Sequence, residues 1–172
     1  TDKGTVRLIL NNASISNTTT APIKVLDAKK VILTLADNTT NTITDSSRLS
    51  TEEDYSAVIY SKEDLIINGN GTLNVNAGYR NGIKSTDDCI IVSGTLNITS
   101  TEDGIIGKDL CGIVAGDINI NAGSDGIKST YDTDTTKGNV IIEGGNITIK
   151  ASNDGIQAEN ILVINDGTIN IK

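Results

Sequence analysis

Asn81-Gly82-Ile83-Lys84-Ser85 returns as Asp103-Gly104-Ile105-Ile106-Gly107, as Asp125-Gly126-Ile127-Lys128-Ser129 and as Asp154-Gly155-Ile156-Gln157-Ala158, at steps of 22, 22 and 29 residues. A second motif keeps phase with it. Gly71-Thr72-Leu73-Asn74-Val75 recurs from Gly94, Gly116, Gly145 and Gly167, at steps of 23, 22, 29 and 22. Two motifs that lengthen at the same step mark one repeat with about seven inserted residues, near Tyr131 to Lys137. A period in this range is the signature of a solenoid, in which each repeat is one unit stacked on its neighbours.

Inside each repeat the apolar residues alternate with period two, so each strand buries one face. Aligning the repeats stacks like on like: Leu73, Leu96, Ile118, Ile147 and Ile169 form one column, and Ile59, Ile83, Ile105, Ile127 and Ile156 another. Cys89 and Cys111 fall in a third column, with Leu65, Val140 and Leu162. They read as buried, aliphatic-like residues, because in-register parallel neighbours point the same way and not at each other. Gly, Asn and Asp turns divide each repeat into three short strands. The chain is therefore all-β: a right-handed parallel β-helix with three strands per rung and about six rungs, forming a single domain over residues 1–172. Val6 to Ser16, Pro22 to Leu26 and Lys30 to Leu35 read as the first one or two rungs, and acidic Asp45 to Tyr55 as a surface loop.

Composition agrees. There are 17 Gly, one Pro, four Tyr and no Phe, Trp, Met or His, so the core is built of Ile, Val and Leu. The net charge of −8 argues against nucleic acid and anionic membrane as partners and suits cations. No apolar run approaches the ~18 residues of a membrane span. Structured-looking sequence begins at once, without a signal-peptide pattern, so it reads as a trimmed segment.

Two acidic columns are candidate metal ligands. The first is the corner ladder Asp103, Asp125 and Asp154, headed by Asn81. Rungs lie ~4.8 Å apart, and two oxygens across a calcium ion are separated by about the same distance. The competing reading is a turn-forming Asp that accepts backbone N–H bonds. The second column holds Glu63 and Asp64, Asp87 and Asp88, and Asp109, continued by Asp132 and Asp134 in the inserted loop; its candidate ligands are Asp87, Asp109, Asp132 and Asp134. The loop lacks the sixth-position glycine and flanking helices of an EF-hand, but it remains a source of ligands or an ordinary solvated loop.

Candidate glycan contacts are Lys84 and Lys128 in an outward column with Tyr60, Ile106 and Gln157, together with Arg80, Tyr79 and Tyr131. A lysine beside a calcium carboxylate has the chemistry of a base that removes the proton α to a uronate, though an ordinary surface lysine is the commoner role. Without His there is no Ser-His or Cys-His nucleophile, and no residue is assigned as catalytic. A flat outward grid of Thr and Asn, including Thr72, Asn74, Thr95 and Asn97, suits sugar hydroxyls or plain water. An outward aliphatic row, Ile66, Ile90, Ile141 and Val163, is interrupted by Gly112. A contiguous stripe of that kind points to self-association or to cover by a loop.

Ala21-Pro22-Ile23-Lys24-Val25, Val31-Ile32-Leu33-Thr34-Leu35-Ala36-Asp37, Ile59-Tyr60-Ser61-Lys62, Ile66-Ile67-Asn68-Gly69 and the Asp-Gly-Ile-Lys-Ser repeats resemble the bacterial carbohydrate-binding domain-containing β-helix family. The resemblance implies a secreted or surface-attached protein whose partners are polysaccharides, cellulose and polygalacturonate. The family in turn is similar to family 9 polysaccharide lyases, which hold Ca²⁺ in an aspartate cluster and use a lysine base. By that resemblance Asp103, Asp125, Asp154 and the Asp132/Asp134 loop match the acidic corner motifs. The leading expectation is thus a non-catalytic, calcium-dependent polysaccharide-binding module. A pectate lyase-like enzyme with Lys84 or Lys128 as base, and a stalk with no ligand, are the alternatives.

Overall fold

A computed structural model describes residues 4–47 and 55–172. Twenty strands lie among them. The first rung is β1 (Thr5–Leu10), β2 (Ser14–Asn17) and β3 (Ile23–Val25); the second is β4 (Lys30–Leu35), β5 (Thr40–Asp45) and β6 (Ala57–Ser61). The third is β7 (Leu65–Gly69), β8 (Thr72–Ala77) and β9 (Asn81–Ser85), and the fourth β10 (Asp88–Ile91), β11 (Thr95–Ser100) and β12 (Ile105–Gly107). Then come β13 (Leu110–Ile113), β14 (Asp117–Ala122) and β15 (Ile127–Lys128), followed by β16 (Asn139–Ile142), β17 (Asn146–Ala151) and β18 (Ile156–Gln157). Strands β19 (Leu162–Ile164) and β20 (Thr168–Ile171) begin a seventh turn.

Every third strand pairs in parallel, giving three sheets: β1-β4-β7-β10-β13-β16-β19, β2-β5-β8-β11-β14-β17-β20 and β3-β6-β9-β12-β15-β18. The solenoid of about six rungs is as the repeat requires. The N-terminal segment makes two full rungs, although its motif is hard to see in sequence.

The register reproduces the columns. Leu65, Cys89, Cys111, Val140 and Leu162 are successive partners, as are Ile23, Ile59, Ile83, Ile105, Ile127 and Ile156. Both cysteines are free and fully buried, and burial pushes the Cys111 thiol up to about 12. At the last rung the inward residues Leu162, Ile164 and Ile171 are exposed, because no further rung lies over them in the described residues. The Asp-Gly corners are tight. A Cβ on Gly104 would come within 2.5 Å of the Gly126 carbonyl oxygen, and one on Gly126 within 2.5 Å of that of Gly155. Glycine is required there by backbone approach.

One expectation needs correcting. Asp45 does not open a surface loop: it ends β5, is buried, and accepts the Tyr79 N–H at 3.2 Å. Most of the remainder of that acidic stretch, residues 48–54, lies outside the described residues. Among the described residues no helix is long and apolar enough to cross a membrane.

Candidate functional site

The corner ladder forms as a column, and its side chains are engaged by protein. The Asn81 Oδ1 accepts the Asp103 N–H at 3.0 Å, Asp103 accepts the Asp125 N–H at 3.0 Å, and Asp125 accepts the Asp154 N–H at 2.9 Å. Each side chain satisfies the backbone of the next rung at its corner. Asp125 is fully buried and also accepts from Asn153 Nδ2 at 2.7 Å and from the Lys128 ammonium at 2.6 Å. Lys128 lies 3.9 Å from Asp103 as well. Burial opposes ionisation of both Asp125 and Lys128. The hydrogen bonds and charges between them outweigh it, holding the Asp125 carboxyl below its usual range and the Lys128 ammonium above its own. The Lys128 ammonium thus serves both the Asp103 and the Asp125 carboxylates. Asp154, at the end of the column, is exposed.

The second column behaves differently. Register sets Asp64 beside Asp88, through their neighbours Leu65 and Cys89, and the Asp109 N–H donates to the Asp87 carbonyl at 3.3 Å. Carboxylate oxygens of Asp64, Asp87 and Asp88 all lie within 4.8 Å of one another. Burial pushes Asp87 up to about 6, reinforced by a hydrogen bond to Asp109 and by the charges of Asp64, Asp109 and Asp88. Asp88 is raised too, first by burial and then by the charges of Asp64 and Asp109. These are acids pressed together without enough positive charge between them.

The inserted loop closes one side of this cleft. Its Lys137 ammonium pairs with Asp109, and Thr136, Lys137 and Asn139 border the cleft with Asp87, Asp88 and Asp109. Asn139 Oδ1 is buried and has no hydrogen-bond partner. Asp134 caps its own turn, accepting from the Thr136 N–H at 2.9 Å and its hydroxyl at 2.7 Å, and Asp132 is exposed.

The predicted glycan contacts are scattered over the corner and the third sheet. Lys84 donates to Ser56 Oγ at 3.2 Å, and burial lowers its pKa, against the charge of Asp103. Arg80 stands over the Tyr79 ring at 5.5 Å and lies 3.9 Å from Glu102. Tyr131 carries the ammoniums of Lys108 and Lys137 at 4.8 and 4.9 Å. Tyr60 is a correction. It is 4 % exposed and packs with Ala21 and Ala57, edge-on to Tyr55, so it belongs to a small satellite core and offers no platform to a sugar.

Sequence reasoning had named Asp64 and Asp88 within the acidic row without ranking them as ligands. Their adjacency to Asp87 across one rung is the signal that brings them in.

Comparison with known proteins gives a consistent picture. A family model described as carbohydrate-binding domain-containing protein matches residues 1–172. A carbohydrate-binding domain-containing protein of Acetivibrio thermocellus is 39 % identical over 95 residues, 53 % of this chain and 33 % of its own length. The chain thus matches about a third of that relative. A solved structure described as the polysaccharide lyase-like protein from C. thermocellum, in a gadolinium derivative, superposes with a TM-score of 0.85 at 33 % identity. It covers 98 % of this chain and 73 % of its own.

Proposed function

The chain belongs to the carbohydrate-binding domain-containing family, and from that premise we propose that it is an extracellular or cell-surface bacterial module that uses calcium to hold polysaccharide, without cleaving it. The observation that carries the proposal is the meeting of Asp64, Asp87 and Asp88 within 4.8 Å. Calcium binds oxygens at about 2.3–2.6 Å, so ligands on opposite sides of one ion are separated by roughly this distance. The raised Asp87 and Asp88 carboxyls and the unpartnered Asn139 Oδ1 at the cleft fit the same ion. Bound there, the ion supplies positive charge to a cleft in which Lys137, paired with Asp109, faces Asp64, Asp87 and Asp88. That charge lets a −8 chain hold an anionic glycan such as polygalacturonate. Cellulose, a neutral partner, would use the Thr and Asn grid. Cellulose and polygalacturonate lie outside the cell, which supports the location.

Calcium titration followed by thermal unfolding tests the reading. At a hundredfold excess over Kd, an ion that binds only the native state adds about 2.7 kcal/mol, about 5–10 °C at this chain length. A Tm indifferent to calcium and to chelator refutes it.

Cleavage by β-elimination has one observation in its favour. Of the two lysines considered as base, Lys128 is committed to Asp125, whereas Lys84 is the one whose burial lowers its pKa toward that of a working base. Incubation with polygalacturonate and calcium is expected to yield no ultraviolet-absorbing unsaturated product. Product formed by the wild type and lost in Lys84→Ala would replace the binding reading with the enzymatic one.

A further inference from the structure

We infer that Gly112 forms the floor of a sugar subsite beside the carboxylate cleft, a recess that takes one pyranose ring of an acidic glycan. The inference rests on the proposed cation site for the direction in which the glycan's carboxylate points, but the recess itself is seen independently.

In the first sheet the outward row reads Ile32, Ile66, Ile90, Gly112, Ile141 and Val163, each in register with the next. Glycine inside a strand weakens it and marks a bulge or a close approach of ligand or backbone. β13 pairs regularly on both sides, so there is no bulge. No protein backbone approaches either. A Cβ on Gly112 would meet only the Ile90 side chain, at 3.5 to 4.0 Å, which is ordinary contact. The corner glycines Gly104 and Gly126 are imposed by carbonyls at 2.5 Å, whereas nothing in the fold imposes Gly112. Its effect is to open a recess of about 220 Å³ between Ile90 and Ile141, bordered by Leu110, Val114 and Glu143.

The recess adjoins the acidic cleft, and Leu110 and Ile141 line both. Asp88 and Ile90, like Leu110 and Gly112, are two residues apart on one strand face, about 6.6 Å. That is the scale of one sugar ring. A uronate fits this polarity. Its C–H face lies on Ile90, Leu110 and Ile141, while its carboxylate turns toward the cation end and away from Glu143 at the other. A second protein copy does not fit, because stable interfaces use about 20–30 residues a side and this recess uses a handful.

Gly112→Val and Gly112→Ala, compared with wild type, test the inference by three measurements: polygalacturonate oligomer affinity by calorimetry with calcium present, calcium affinity alone, and Tm. Filling the recess with Val is expected to lower glycan affinity at least tenfold, leave calcium affinity unchanged and raise Tm by about 2–4 °C. Ala, whose Cβ makes only ordinary contact with the Ile90 side chain, is expected to fold as wild type does and to lose affinity by a smaller factor. Unchanged glycan affinity in both variants overturns the subsite, as does a wild type that binds no oligomer. Wild-type binding that needs no calcium yet is lost in Gly112→Val upholds the subsite and refutes the cation reading alone.

Discussion

The molecule contains two stacks of acids at the same rung spacing, and they end in different chemistry. In the corner ladder the side chains of Asn81, Asp103 and Asp125 turn toward the backbone N–H of the next rung, and Lys128 fills the space between Asp103 and Asp125. In the row of Asp64, Asp87, Asp88 and Asp109, one lysine arrives by way of an inserted loop, and the remaining carboxylates face one another. Periodicity places an acid in a column. What the acid then does depends on which donors the neighbouring rung leaves free. At a turn, a backbone N–H is available. At the start of a strand, the neighbouring N–H groups are already spent: the Val31 N–H bonds the Asp64 carbonyl and the Asp109 N–H the Asp87 carbonyl.

Breaking the ladder should therefore cost stability and spare the cation. Asp125→Ala leaves the half-buried Lys128 without its main partner and the Asp154 N–H without an acceptor. A lost buried ion pair of this kind costs about 3 kcal/mol, or about 10 °C in Tm. Thermal melts in chelator read the first effect, and calorimetry of the folded variant at lower temperature reads calcium binding, expected to be as in wild type. Calcium binding abolished in a folded Asp125→Ala protein would make the ladder the metal site after all.

Breaking the row should do the reverse. Asp88→Asn removes a charged ligand while keeping the shape of the side chain. Calcium affinity should fall at least tenfold, about 1.4 kcal/mol. Stability in chelator should hold or rise, because one member of a mutually repelling set is gone. Asp87→Asn should behave alike. Equal loss of stability from variants in both columns would erase the distinction between them.

The fold was legible because the β-helix converts sequence period into spatial register without intermediary. Cys89 above Leu65 and below Cys111 follows from counting residues. The ladder's geometry was legible too. Its filling was not: Lys128 lies three residues after Asp125, and no periodicity says that its ammonium folds back onto that carboxylate. The acidic cleft was legible only as a row, since its depth comes from Thr136, Lys137 and Asn139 around the insertion that follows β15. Tyr60 was misjudged for a related reason. An outward position in a strand means solvent only when no other segment crosses over it, and here Tyr55 does. Gly112 stood out in the sequence as an interruption of an aliphatic row. That it is sterically unforced required knowing how far away the neighbouring atoms are.

The smallest expected effect is on pH dependence, and it distinguishes the columns by sign. Asp87 is raised from 3.8 to about 6, and Asp88 is raised as well, so between those values the native state holds protons that the unfolded chain has released. Stability without cation then declines as pH rises through this window. Asp125 is depressed, so its contribution is present above 3.8 and is lost as pH falls below it. On the proposed reading, calcium bound at the row displaces the protons held there. The calcium-induced rise in Tm should accordingly be full above about pH 6 and shrink toward pH 4. Asp87→Asn should flatten the decline measured in chelator, while Asp125→Asn should leave it in place. Melts at half-unit steps from pH 4 to 7, with calcium and with chelator, show whether this holds. A calcium shift of constant size across that range would put the ion on carboxylates that are already ionised, and so outside the Asp64, Asp87 and Asp88 cleft.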